Sequence, residues 1–189
     1  MGKVLLDVSM SLDGCVAGPD VGEDAPMGTG GERLHDWMFN GPSRSPASDV
    51  DAQMVRALNA SAGAVMMGRR TFDVGVGPWG DTPFRAPCFV VTHRPMGDIV
   101  KAGGTFAFVP GIGDALERAR DAAGARDILV MGADLAGRLL DARLLDEVHV
   151  HLVPVLLGDG VRISGLAELE RIGLALSPYV THLHYRVAR

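Results

Sequence analysis

Short apolar runs alternate along this chain with segments in which apolar residues recur at helical spacing. Val4 to Ser11 alternates imperfectly and stops near Asp13-Gly14, a turn signal, so it predicts a first strand. Residues 18–31 are punctuated by Gly18, Pro19, Gly22, Pro26, Gly28, Gly30 and Gly31 and predict a long loop of the kind that often covers a binding site. Glu32 to Phe39 predicts a short helix with Leu34, Trp37 and Met38 on its apolar side, stopped by Gly41-Pro42. Asp49 is expected to cap a helix reaching about Ala60, with Met54, Val55 and Leu58 at helical spacing. Further strands are predicted over residues 64–67, 88–92, 105–109, 128–131, 147–153 and 179–187, and helices over 114–123 and 133–140. Residues 75–83, rich in glycine and proline, read as loop, and Leu157-Gly158-Asp159-Gly160 reads as a hairpin signal. This order implies a single α/β domain over residues 1–189, with a mostly parallel sheet covered by helices and an antiparallel C-terminal strand pair.

Composition narrows the picture. The 189 residues suit one domain that buries a large core without staples, and the 47% apolar content argues against disorder. A formal net charge of -5 argues against a nucleic-acid partner while leaving room for one local anion site. No uncharged apolar run is long enough to span a membrane, and Met1-Gly2-Lys3-Val4 does not begin a secretory signal, so no membrane partner is expected. Cys15 and Cys88 form no CxxC pattern and are expected as free thiols in a reducing, cytoplasmic setting.

Three junctions carry candidate anion chemistry. In the first, an apolar strand runs into Gly68, Arg69, Arg70 and Thr71, where a close backbone, two guanidinium groups and a hydroxyl could hold a phosphate. In the second, Val90-Val91 leads into Thr92, His93 and Arg94; Arg94 stays charged and could meet a ribose phosphate, which would favour the phosphorylated nicotinamide cofactor. In the third, Gly132, Ala133, Asp134, Leu135 and Ala136 open a helix whose free amides could face a diphosphate, with Asp134 in the favourable first turn. Each segment taken alone also fits an ordinary strand-to-turn junction with solvated side chains. Neither GxGxxG nor GxxxxGK[ST] occurs. His149 and His151 alternate along one predicted strand and His182 and His184 along another; cross-strand polar pairing is expected of them, and no metal site.

Taken in order, several motifs resemble the dihydrofolate-reductase superfamily, in particular its bacterial branch related to the reductase domain of riboflavin biosynthesis. They are Met10-Ser11-Leu12-Asp13-Gly14 with Ala17-Gly18-Pro19, Met67 to Phe72, Val91-Thr92-His93-Arg94, Leu144-Leu145-Asp146-Glu147 and Pro154 to Gly160. The resemblance implies a three-layer fold with a central mixed, mostly parallel sheet of about eight strands, flanking helices, and a reduced dinucleotide laid across the strand ends. It implies Ala17 and Gly18 near a nicotinamide, Gly68, Arg69, Arg70 and Thr71 at phosphates, Thr92, His93 and Arg94 toward the adenosine side, and residues 132–136 around the diphosphate. Two positions depart from the pattern. Gly132 is followed by Ala133-Asp134 in place of paired glycines, and Leu34 stands where a folate-anchoring acid would be, which argues against dihydrofolate reduction.

The activity so implied is an NADPH-dependent oxidoreductase, with NADH as an alternative, passing a hydride to a small heteroaromatic molecule of pterin or pyrimidinone type. Asp36 and Asp13 are the candidate proton donors or amine-binding groups, against a solvent-facing helix residue and a capped turn respectively. Trp37, Phe39 and His35 are candidates for a flat substrate pocket, with Trp37 equally suited to core packing. A dinucleotide sensor without turnover and a structural homodimer with a decayed cofactor site remain as alternatives. Apolar composition and the resemblance together point to a homodimer.

Overall fold

A computed structural model of the chain describes residues 2–39, 46–94 and 96–188; the helix stop expected at Gly41-Pro42 lies outside the described residues. The strands are β1 (Val4–Ser11), β2 (Ala62–Gly68), β3 (Cys88–Val91), β4 (Ile99–Val100), β5 (Thr105–Val109), β6 (Asp127–Met131), β7 (Glu147–Val153), β8 (Leu169–Leu176) and β9 (Thr181–Val187). The α-helices are α1 (Asp49–Ser61), α2 (Arg69–Trp79), α3 (Ile112–Ala123) and α4 (Ala133–Asp141). Among the described residues nine strands form one sheet in the order β4-β5-β3-β2-β6-β1-β7-β9-β8. Neighbours from β5 through β7 pair in parallel, whereas β4, and β9 against β7 and β8, pair antiparallel. This is a dihydrofolate-reductase-like fold.

Burial explains the parallel centre. Ala64, Val65, Met66 and Met67 of β2 are all fully buried, as a strand covered on both faces must be. Ala64 and Met66 pack with Leu116 and Ala119 of α3 and Leu135 and Leu139 of α4 on one side. Val65 and Met67 pack with Phe72 of α2 on the other, and Leu58 of α1 reaches Leu5, Ala62 and Leu129. The three layers are therefore two helices, the sheet, and two helices with a 3-10 turn.

Four expectations need correcting. Residues 75–79 are helix, not loop: Phe72, Val76 and Trp79 pack into one apolar cluster, and that packing outweighs the low helix propensity of Gly75, Gly77 and Pro78. A Cβ on Gly75 would fall on the Trp79 ring, so glycine there allows the indole to lie flat on its own helix. The cap of α1 is Ser48, whose hydroxyl accepts from the Asp51 amide at 3.2 Å, and Asp49 is the first helical residue. Residues 32–39 form a 3-10 helix at Gly31–His35 followed by turns rather than an α-helix. Gly158 and Gly160 sit in a crossing loop, not a strand hairpin: Val161 donates its amide to the Ala17 carbonyl at 2.9 Å and accepts from the Val16 amide at 2.8 Å. The hairpin joins β8 to β9, with Ser177 accepting from the Val180 amide.

Candidate functional site

β3, β2 and β6 are adjacent and parallel, so their C-terminal ends open side by side. β2 turns into α2 at Gly68 and β6 turns into α4 at Gly132, and neither helix start has a side-chain cap. Two sets of free first-turn amides, each at the positive end of a helix, thus approach one place. That place is a cleft of about 480 Å³ lined by Gly68, Arg69, Arg70, Thr71, Thr92, His93, Arg94, Gly132, Asp134 and Leu135, all named from the sequence, together with Val91 and Arg138.

Each junction has a local reason for its shape. Gly132 has φ +97, a region that L side chains rarely adopt, and a Cβ there would fall on Thr71 Oγ1. Glycine at this point lets the first turn of α2 touch the first turn of α4. A Cβ on Gly68, by contrast, would meet no atom within 4 Å, so the missing side chain is space left open at the cleft wall. Thr92 is buried; its amide donates to the Val109 carbonyl and its hydroxyl accepts from the Arg94 amide at 3.1 Å, a turn that leaves His93 and Arg94 exposed.

The arginines differ in freedom. Arg69 donates from Nε to Asp73 at 2.7 Å and lies 5.9 Å from the centroids of both Phe72 and Phe108, so it is held in place. Arg70 donates to the Val21 carbonyl at 3.0 Å, fastening the 18–31 loop to the start of α2. Arg138 lies 3.9 Å from Asp134 with both side chains largely exposed, a pairing that contributes little. Arg138 escaped sequence reading, although its position one turn after Asp134 on a helix that starts at the cleft was a usable signal.

Other predicted residues lie elsewhere. Ala133 and Ala136 do not line the cleft, and Ala136 is fully buried in the core. Ala17 and Gly18 are not on its lining either; Ala17 bridges to Val161, and Gly18 donates its amide to the Met27 carbonyl where any Cβ would strike Thr29 backbone. Asp13 accepts from the Ser11 hydroxyl at 2.6 Å and from the Leu157 and Gly158 amides, and these bonds lower its carboxyl to about 2. A carboxyl that stays ionised at neutral pH is a loop anchor and a poor proton store. Asp36 is exposed at the end of the 3-10 helix, and Phe39 is 53% exposed. Trp37 is buried among Leu34, Val153 and Val180, with its indole donating to Ser9 at 3.0 Å, so it packs in the core. His35 is mostly enclosed, and burial followed by the nearby His151 keeps its imidazole below the usual range.

The expected histidine pairing is present: His149 registers with His184 and His151 with His182. No group of three or more possible ligands for a metal ion occurs among the described residues. Cys15 and Cys88 are free and buried, and burial pushes the Cys88 thiol up to about 12. No described helix is long and apolar enough to cross a membrane.

The profile of one family, the RibD C-terminal domain, matches residues 2–182. The chain belongs to that family. Membership implies a reductase. Solved structures agree on the fold of this RibD C-terminal-domain chain. A Shewanella sp. PV-4 protein assigned to riboflavin biosynthesis is 22% identical, with TM-score 0.73 over 99% of each chain. Acinetobacter baumannii RibD is 15% identical with TM-score 0.61, the alignment covering all of this chain and 59% of that one. A pyrimidine reductase-like protein of Corynebacterium diphtheriae is 12% identical with TM-score 0.64, covering all of this chain and 92% of the other. Among curated proteins none matches in sequence.

Proposed function

We propose that this chain is an NADPH-dependent reductase acting on a small heteroaromatic molecule of pterin or pyrimidinone type. The observation that carries the proposal is the cleft in which two uncapped helix starts and four arginines converge on a chain of net charge -5. The open wall at Gly68 and the tight Gly132–Thr71 contact fit a diphosphate lying against backbone. Arg94 and His93 would take the adenosine 2′-phosphate, and Thr71 would supply a hydroxyl. A reduced nicotinamide, when bound, supplies the hydride. The protein's part is to orient the ring and exclude water. With Asp13 held ionised and Asp36 exposed, the proton comes from solvent rather than from a buried carboxylic acid. The name of the Corynebacterium relative supports a pyrimidine-type ring. The free thiols fit a reducing cytoplasm, and a homodimer remains the expected assembly.

The test is oxidation of NADPH by the purified chain across a panel of pterins, pyrimidinones and flavins. Turnover with a pterin or pyrimidinone supports the reading. Saturable NADPH binding with no turnover on any member moves the chain to a cofactor sensor, and absence of binding removes the reading altogether.

A further inference from the structure

A second concentration of polar groups lies away from the cleft, on the face of β1, β7 and β9 that α1 covers. The sheet register sets Asp7 beside His149 and His184, and Ser9 beside His151 and His182. From these rows a continuous chain runs inward. His151 Nε2 lies 3.1 Å from Asp7 Oδ1, His151 Nδ1 lies 2.7 Å from His182 Nδ1, and His182 Nε2 lies 3.0 Å from Asp51 Oδ1. The other oxygen of Asp51 accepts from the Ser48 hydroxyl at 2.7 Å. The side chains of His182 and Asp51 are fully buried, and the Trp37 ring closes over both imidazoles, with centroids 4.4 and 5.2 Å away.

Counting hydrogens shows what this chain requires. Three contacts, carboxylate to ring, ring to ring and ring to carboxylate, each need one shared hydrogen. Two neutral imidazoles bring only two, which leaves either two bare nitrogens facing each other at 2.7 Å or a carboxylate without a donor. A third proton satisfies all three contacts and gives one imidazolium between two carboxylates. A fourth is opposed by the geometry, since two imidazolium N–H groups would then face each other at 2.7 Å; burial and then His151 already keep His182 below the usual imidazole range. Burial pushes the Asp7 carboxyl up, but His151 and His149 more than offset it and hold it below the usual carboxylate range. The remaining groups facing the pair are His149 and Glu147 on β7, His184 on β9, Lys3 ahead of β1, and His35 on the 3-10 helix. His184 is held at about 4 by burial and its histidine neighbours, so it stays neutral near pH 7.

The helix on this face depends on the chain to an unusual degree. Asp51 is the one fully buried residue of α1; Met54, Val55 and Leu58 are only partly buried. A small cavity of about 160 Å³ separates α1 from the sheet here and reaches Asp7, His149, His151 and His184, giving protons a way in.

We infer that Asp7, His151, His182 and Asp51 form a proton-dependent latch that holds α1 against the sheet while one shared proton is present and releases its first turns when that proton leaves. The latch requires the folded chain to keep this proton at a pH where unfolded imidazoles have lost theirs, so its stabilisation would be complete below the ordinary imidazole range and lost as pH rises.

Amide hydrogen exchange, corrected for the intrinsic effect of pH, tests the latch in the whole chain. Protection of the first turns of α1 is expected to fall about tenfold or more between about pH 6 and 9, while β2 and β6 keep theirs. His182→Gln fills the site with a group that cannot take the proton, and its α1 protection is expected to be flat over the same range. Imidazole nitrogen shifts of the wild-type protein, measured by NMR near pH 6, should show three ring N–H groups on His151 and His182 together. Flat protection of α1 in the wild type, an unchanged pH slope in His182→Gln, or two neutral rings at the acid end would each overturn the inference; if the variant does not fold, the two wild-type measurements decide.

Discussion

One sheet handles charge in two opposite ways. At the C-terminal ends of β2, β3 and β6, positive groups gather and stay partly unanswered: two uncapped helix starts and Arg94 face the cleft, and Arg138 is only loosely paired with Asp134. Across β1, β7 and β9, charge is buried and answered group by group, from Asp7 through two histidines to Asp51. An open surplus of one sign attracts a ligand of the other. A closed, matched chain attracts none, and its state is set by protons. The contrast also explains why arginine dominates the first region and histidine the second: the cleft needs groups that never lose charge, whereas the interior tolerates only groups that can share one.

Filling the cleft is the most severe challenge to this contrast. Gly68 has an ordinary extended backbone with φ -76, and a side chain there would stand clear of the fold. Gly68→Val is therefore expected to fold normally and lose NADPH affinity by about a hundredfold, ~3 kcal/mol. Calorimetric titration measures this, and a folded variant with wild-type affinity would disqualify the cleft. Arg94→Ala comes next. Losing one charge-assisted contact should weaken NADPH about tenfold, ~1.4 kcal/mol, and leave NADH nearly unchanged. Equal losses for both cofactors would move Arg94 away from the 2′-phosphate.

The smallest effect belongs to Asp13, which lies outside both regions and should leave cofactor affinity alone. The Ser11 hydroxyl and the Leu157 and Gly158 amides hold its carboxyl at about 2, below the unfolded value. The stabilisation is thus present above the ordinary carboxylate range and disappears as pH falls toward 2. Amide exchange at Leu157 and Gly158 should quicken in Asp13→Asn at neutral pH, and in the wild type only in acid. Identical exchange in both proteins would show that the loop is held by its backbone alone.

The cleft was more legible than the latch for a physical reason. Gly68, Thr92 and Gly132 each end a buried apolar run, and strand ends in a parallel sheet converge, so local patterns sufficed to assemble a common site. Arg138 was missed although helical spacing sets it one turn after Asp134, because the junction pattern ends with the first turn of α4 and Arg138 lies in the next. The facing histidines could be anticipated from alternation, but Asp51 could not, since 131 positions separate it from His182 and nothing local marks it as buried. Trp37 suited pocket and core equally in sequence, and its burial with ring contacts to His151 and His182 puts it in the core. Residues 75–79 misled because glycine and proline are local breakers, while Phe72, Val76 and Trp79 supply tertiary packing that overrides them. Strand β8 escaped because its leucines are exposed at a sheet edge and a bulge near Gly173 interrupts its alternation.

The most direct test follows the backbone amides of Gly68, Thr92 and Gly132 by NMR while NADPH is added. The account predicts that all three shift along one saturable curve, with the histidine face undisturbed. NADPH that binds while these amides stay still, or that shifts them along separate curves, would contradict a single dinucleotide lying across the three strand ends.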